Sequence, residues 1–387
     1  MSTDYSKYNF DDIRPYNDSE VHDAIEKLIA SDRLRHAMGY INPNLNWDEF
    51  IAEMRACKTI EQFKTTMSYN AVMTIAKHTT FSLTISGRSR LPDNACTFIS
   101  NHRDIVLDAG FLNVLLHDVG KGMTQIAIGD NLLIQPWIDT LVRLNNCFIV
   151  KRDLSVRQLL KSSVQLSAYI HHIVEDAGES VWIAQREGRS KDSNDHTQTS
   201  VLKMLNLAGE HENIIRNLMS LNIVPIAISY EYDPCDYLKA QEFQQKRDNP
   251  DFVKSQRDDL FNMETGLLNN KGRVHFTIGS TINSRIEKLQ EQNLDKNATI
   301  AAIADIIDRE IYKHYRFYPC NYVAYDMLYN SIKFRTHYDL RDKAQFEGYL
   351  QKQLDKIVLD NKDEIFLRTK ILEMYSNPLK NHIETME

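Results

Sequence analysis

The feature that most constrains this chain is the alternation of short apolar runs with helical patterns through its middle. Runs at 96–100, 124–128, 147–150, 180–184, 223–230 and 273–279 have the length and residue types of buried strands. Most are separated by stretches of helical periodicity, such as 136–144 and 155–175. An alternating run through Phe81, Leu83 and Ile85 up to Gly87 opens the region. Repeated strand–helix alternation places helices on the faces of a sheet. The expected fold is α/β, with a mixed, largely parallel sheet flanked by helices.

Both ends read as helical. Val21, Ile25, Leu28 and Ile29 make an apolar stripe behind an Asp18/Ser19 cap, and Thr59 to Lys77 repeats the pattern. Beyond Thr281, Ile300, Ile303, Ile306 and Ile307 make another stripe. The expected division is an N-terminal helical subdomain at 1–80, an α/β core at 81–285 and a C-terminal helical extension at 286–387. Within the core, 231–272 is long, polar and charge-rich, and reads either as an inserted helical excursion or as a lid.

Composition excludes several classes. A formal net charge of −7, without dense Lys/Arg clusters, argues against a nucleic-acid partner. The cysteines Cys57, Cys96, Cys147, Cys235 and Cys320 are odd in number and lack a Cys-x-x-Cys pair, which suits reduced thiols in a cytoplasm and no zinc site. The start MSTDYSKYNFDDIRP is polar and acidic, unlike a secretory signal. No apolar run approaches the roughly 20 residues of a membrane span, so lipid contact is expected to be peripheral, at the inner face of a membrane.

Four segments at predicted strand ends hold residues able to do chemistry. In NHRDIVLD, His102 lies where a strand meets a helix, the position at which open α/β sheets place ligands. An imidazole there can take a proton from an alcohol, with Asp108 or Asp104 orienting the ring. Arg103 follows directly, and Lys151 and Arg152 leave the strand of NNCFIVKRD. Glu187, Gly188 and Arg189 follow the strand of VWIAQREGRS, with Gly188 allowing close backbone approach, and Pro225 opens the last segment, IVPIAISYEYD. A base among several cations suits an anionic substrate bearing a nucleophilic hydroxyl.

Two other readings compete for these residues. His102, Arg103 and Asp104 spell a kinase catalytic triplet, but Ala109 stands where that motif needs Asn. In HHIVED, His172 and Asp176 share a helix face with metal-ligand spacing, yet His171, His172, Glu175 and Asp176 read more simply as charges at a helix end. No metal site is expected.

The order of these blocks resembles the glycerolipid acyltransferase family, whose members acylate glycerol 3-phosphate or 1-acylglycerol 3-phosphate. Asn101-His102-Arg103 with Asp108 resembles the first family block, Arg152 after FIV the second, Glu187-Gly188-Arg189-Ser190 the third and Val224-Pro225-Ile226-Ala227-Ile228 the fourth. The likeness spans roughly residues 80–285 and departs twice. Five residues, not four, separate His102 from Asp108, and no Thr stands between Gly188 and Arg189. Either the first loop bulges or Asp104 takes the carboxylate role; Asp108 is favoured because an apolar helix continues after it, whereas Asp104 is better placed to cap that helix.

The resemblance implies direct acyl transfer. His102, oriented by Asp108, would deprotonate an acceptor hydroxyl attacking the thioester of acyl-CoA or acyl-carrier protein. Arg152 and Arg189, with Lys151 as a weaker candidate, would hold a phosphate, and Glu187 would orient them. Backbone amides near Gly188 could meet the oxyanion. No cofactor is needed, because the thioester is already activated. The implied partners are the acyl donor, a lyso-glycerolipid acceptor and a membrane surface touched peripherally. An acyltransferase for a non-phosphate lyso-lipid and an inactive lipid-binding relative are the alternatives.

Overall fold

The computed structural model describes residues 5–152, 154–208 and 213–386. One seven-stranded sheet organises them, built from β1 (Thr80–Ser86), β2 (Thr97–Ser100), β3 (Gln125–Gly129), β4 (Cys147–Val150), β5 (Val181–Ala184), β6 (Val224–Tyr230) and β7 (Gly272–Ile278). These are the seven apolar runs of the sequence, displaced by a residue or two at most. Their spatial order is β1-β7-β6-β2-β5-β3-β4. All pairings are parallel except β6 with β7. Five strands therefore run together, and β7 and β1 run against them.

Helices α1 (Val21–Ile29), α2 (Asp32–Ile41), α3 (Trp47–Ala56), α4 (Ile60–Phe63) and α5 (Tyr69–Thr79) precede the sheet. Helix α3 starts where the Asn46 side chain accepts bonds from the amides of Asp48 and Glu49. Within the sheet region lie α6 (Leu107–Asp118), α7 (Pro136–Leu144), α8 (Val156–His171), α9 (Thr199–Leu205) and α10 (Ile214–Ser220). The helical pattern at 155–175 divides, because α8 widens into a π turn at His172–Asp176.

The charge-rich stretch between β6 and β7 is helical, forming α11 (Asp236–Asp248) and α12 (Gln256–Leu268). The chain then closes with α13 (Asn283–Glu287), α14 (Lys296–Lys313), α15 (Pro319–Leu328), α16 (Leu340–Asp355) and α17 (Glu364–Met386).

Strand β2 is central and buried throughout. Its alternation sends Phe98 to a core shared with Ile75, Phe111, Leu112 and Phe276, and Ile99 to one shared with Ile170, Leu202, Leu218 and Ile303. Both sheet faces are thus covered by helices, as parallel strands require. From β2 the chain leaves through α6 to β3, two places away, and β5 later fills the gap. The loop after β2 therefore opens among the C-terminal ends of β5, β3 and β4.

Candidate active site

The loop after β2 is pinned before it turns. Asn101 donates its side-chain amide to the Ile228 carbonyl at 2.9 Å and accepts from the Ile228 amide at 2.8 Å, extending the β2–β6 pairing by one side chain. On the other flank, the Gln185 amide donates to the Ser100 carbonyl at 2.8 Å. His102 is therefore presented from a fixed point. Its ring meets the edge of Trp182, with centroids 5.8 Å apart, and Trp182 is itself anchored to the Ser100 hydroxyl at 3.0 Å.

Asp108 is the carboxylate bonded to the imidazole. Its Oδ2 lies 2.8 Å from His102 Nδ1 and also accepts from the amides of Arg103 at 2.6 Å and Asp104 at 3.0 Å. The additional residue between His102 and Asp108 is absorbed by a tight turn folded around this one oxygen. Asp104 does a different job: its Oδ1 accepts from the amides of Val106 at 2.9 Å and Leu107 at 2.8 Å, capping the start of α6. Burial, then the neighbouring charge of Asp108, raises the Asp104 carboxyl above its ordinary range. With Nδ1 donating to Asp108, the His102 Nε2 carries the lone pair. His102 also borders a large cavity.

Tyr230, which the sequence reading passed over, stands behind the pair. Its hydroxyl and Asp108 Oδ1 are both buried without a geometric hydrogen-bond partner among the described residues. Burial first, then the charges of Asp108 and Asp104, push the Tyr230 hydroxyl well above the ordinary tyrosine range. A tyrosine at the end of a strand carries no signal of this role in sequence.

The proposed cations separate into two groups. Arg103 does not reach the cavity. Its guanidinium is buried and bonded twice to Asp195, at 2.9 and 2.6 Å, and it lies over Tyr315, whose hydroxyl bonds the same carboxylate. Its assignment as a substrate ligand is therefore corrected to that of an internal ion pair. Burial works against this charge, and Asp195 outweighs it, so the group stays fully protonated.

Lys151, Arg152, Glu187, Gly188 and Arg189 do line the cavity. Lys151 is paired with Asp12 of the N-terminal segment. Arg152 meets Glu187 at 3.2 Å, and Gly129 leaves it room, since a Cβ there would stand 2.7 Å from its Nε. Glu187 orients only the first of the two arginines: among the described residues Arg189 bonds Asn262 of α12 instead, at 3.2 Å. Gly188 has φ +66°, with open space where a Cβ would be. Its backbone conformation, more than any close contact within the chain, is what calls for glycine.

Arg186, absent from the sequence reading, joins this group. Its Nε and the Nη1 of Arg189 are buried without partners among the described residues, and both side chains border the cavity. Each is a desolvated donor awaiting an acceptor, a condition that costs free energy unless a ligand relieves it.

The cavity measures about 990 Å³. One wall is apolar and comes largely from the N-terminal helices: Leu28, Leu34, Met38, Met54, Phe63 and Ile75. Another comes from the strand ends that carry Arg152, Arg186 and Arg189, and a third from α11 and α12 through Lys239, Glu242 and Met263. The excursion after β6 is thus helical and also covers the site. Gly266 of α12 packs so close to Asp104 that a Cβ would strike its carboxylate. Glu242 is the anchor of this cover, gathering Lys191, Lys246 and Lys254. Burial would raise its pKa, but the bond from Lys191 and the charge of Lys254 win, leaving it at about 2.

The HHIVED residues form two separate pairs. His171 Nδ1 meets Glu175 at 2.7 Å and its Nε2 bonds the Leu205 carbonyl at 2.9 Å, while His172 meets Asp176 at 3.0 Å on the surface. No helix among the described residues is long and apolar enough to cross a membrane.

Residues 82–229 match the family model "Acyltransferase". No curated protein matches the chain. Among solved structures it is similar to the 1-acyl-sn-glycerophosphate (LPA) acyltransferase PlsC from Thermotoga maritima, at 10% identity and TM-score 0.33, over 76% of this chain and 95% of that one. The matched segment contains the His102–Asp108 pair and ends inside β6, one residue before Tyr230. Residues 82–229 are an acyltransferase-family domain, and the chain that carries them is an acyl-transferring enzyme.

Proposed function

We propose that this enzyme moves a fatty acyl group from the thioester of acyl-CoA or acyl-carrier protein to the hydroxyl of a glycerol-phosphate acceptor, 1-acylglycerol 3-phosphate or glycerol 3-phosphate, in phospholipid synthesis. The observation that carries this reading is one cavity that joins an apolar wall, the His102 imidazole and guanidinium donors without partners among the described residues. An acyl chain needs the first, a hydroxyl nucleophile the second and a phosphate the third.

In the reaction, His102 Nε2 takes the acceptor's hydroxyl proton as its oxygen attacks the thioester carbonyl. Asp108 stabilises the imidazolium that forms. Collapse of the tetrahedral intermediate breaks the carbon–sulfur bond, and the departing thiolate takes the proton from His102. Arg186 and Arg189 hold the phosphate through fork geometry, with Arg152 beside them on Glu187. The scheme needs no redox or metal step, because the thioester is already an activated acyl donor.

The test offers purified protein palmitoyl-CoA or palmitoyl-carrier protein with glycerol 3-phosphate, 1-acylglycerol 3-phosphate or a non-phosphate lyso-lipid, against His102→Ala. Phosphate-acceptor product that vanishes in the variant is the expected result. Product only with the non-phosphate lyso-lipid would replace the acceptor, since arginine forks also hold a carboxylate. Folded protein that forms no product with any pair would overturn the reading.

A further inference from the structure

The first two turns of α8 form a lip beside the cavity. Leu159, Ser162, Ser163 and Leu166 face into it. Successive residues of a helix lie about 100° apart around the axis. That spacing places Val156 and Leu160 directly beside the cavity-facing row, and Arg157 and Lys161 beside them in turn. Val156 is 87% exposed and Leu160 59%, so two large aliphatic side chains stand in water at the edge of an apolar chamber.

The charge of the lip is as unusual as its apolarity. The chain is acidic overall, yet residues 154–172 contain no Asp or Glu. Arg157 and Lys161 form no ion pair among the described residues. Solvated helix faces normally mix charge signs, whereas a basic flank next to bare aliphatics is the pattern of a segment lying on an anionic lipid surface.

We propose that the start of α8, from Leu154 to Lys161, is a bilayer-docking lip: Val156 and Leu160 enter the acyl boundary of an anionic membrane, and Arg157 and Lys161 bind its headgroups. This rests on the reading of the cavity as an acyl-transfer site and names the surface from which that site is loaded. Docking there sets Leu159, which already faces the cavity, next to the lipid phase, so an acyl chain passes from bilayer to chamber without crossing water. An acidic carrier protein is the other partner of suitable charge. The bilayer is favoured because the exposed aliphatics adjoin the basic pair on the same two turns, and a headgroup layer over hydrocarbon matches both at once.

The full chain, without substrates, is floated with phosphatidylcholine vesicles and with vesicles that also contain phosphatidylglycerol. Binding is expected to the anionic vesicles. R157E/K161E should weaken it by about fivefold or more per charge and remove its salt sensitivity, and V156D/L160D should abolish it. Each variant's thermal midpoint is checked against the parent. Leu160→Cys carrying a polarity-sensitive fluorophore gives a second readout, selective because the native cysteines are buried; its emission should shift to the blue on vesicles. Unchanged vesicle binding by folded V156D/L160D, or a label that stays in water, would overturn the proposal. So would binding of carrier protein, and not vesicles, that depends on these residues. None of these readouts needs turnover, so a failed activity assay and a failed docking assay are told apart.

Discussion

The two helical ends look alike in sequence, and the structure puts them to opposite uses. Helices α1 to α5 leave part of their apolar face unfilled, so Leu28, Met54 and Phe63 are buried from solvent yet line the cavity. Helices α15 to α17, with Tyr237 and Ala240 of α11, close a filled core around Val323, Phe346, Leu350, Leu367 and Ile371. No residue of α13 to α17 borders the large cavity. Instead this end braces the site from behind, where Tyr315 shares Asp195 with Arg103, and Tyr349 and Tyr375 bond Asp236 of α11 at 2.7 and 2.8 Å. Apolar stripes alone do not distinguish a chamber from a buttress. The distinction depends on whether opposing side chains fill the space between helices.

The sharpest way to break this contrast is at its centre. His102→Ala should lower acyl transfer by about 10²–10⁴-fold, measured as turnover under saturating donor, with the thermal midpoint unchanged. Asp108→Asn should follow it closely, because the same oxygen orients the ring and organises the loop. A much smaller loss would mean that another group takes the proton.

The next contrast sets a front arginine against a rear one. Arg189→Ala should raise KM for a phosphate acceptor by about 10–100-fold, the worth of hydrogen bonds to a charged group, with little change in thermal midpoint. Arg103→Ala should do the reverse, destabilising the chain by about 3–5 kcal/mol because Asp195 is left buried and uncompensated. Equal KM effects in denaturant-free assays would erase the division between ligand and brace.

Tyr230→Phe comes third, with kcat down by about tenfold and KM held, an effect of about 1.4 kcal/mol on the barrier. The acidic limb of its kcat/KM profile should also move, since the buried carboxylate behind His102 loses a neighbouring hydroxyl. A uniform loss at every pH would assign Tyr230 to packing alone.

A narrowing of the chamber is the fourth. Met54→Trp should shift donor preference to shorter acyl chains, read from competition between palmitoyl and shorter thioesters, and leave glycerol 3-phosphate KM unaltered. An unshifted preference would place the acyl chain elsewhere.

The smallest effect concerns the buttress and pH. Asp236 is held at about 7, chiefly by burial and then by the charge of Asp233, against an ordinary 3.8. Its folded value lies above its unfolded one, so the folded chain keeps a proton that the unfolded chain releases. Stability from this group is therefore full below about pH 4 and is lost as pH rises towards 7. Asp236→Asn should flatten the fall of thermal midpoint across that window relative to the parent, while the cavity-side variants keep the parental slope.

Much of the scaffold was legible in the chain itself. The seven strands declared themselves through β-branched and aromatic runs whose length admits little else, and strand–helix alternation dictated the mixed, largely parallel sheet. The residues at strand ends were legible for the same reason: a parallel sheet carries its loops to one edge, so His102, Arg152 and Arg189 could be named from spacing. Which carboxylate bonds His102 was only half legible, because Asp104 and Asp108 are both close in sequence. The backbone turn that lets one Asp108 oxygen accept three bonds decided between them.

What remained hidden depends on contacts between distant segments. Arg103 looks like every other cation at a strand end until Asp195 and Tyr315 arrive from 92 and more residues away. Arg186, one residue before Glu187, gains meaning only from the tertiary structure, where its Nε is buried without a partner among the described residues. The chamber itself is a gap between α1–α5 and the sheet, and a gap has no residue to announce it. Local sequence sets which backbone conformation and which face are favoured, because propensity and periodicity act over a few residues. Whether a charge is spent or free, and whether an apolar face is filled or open, is settled by the groups that folding brings opposite.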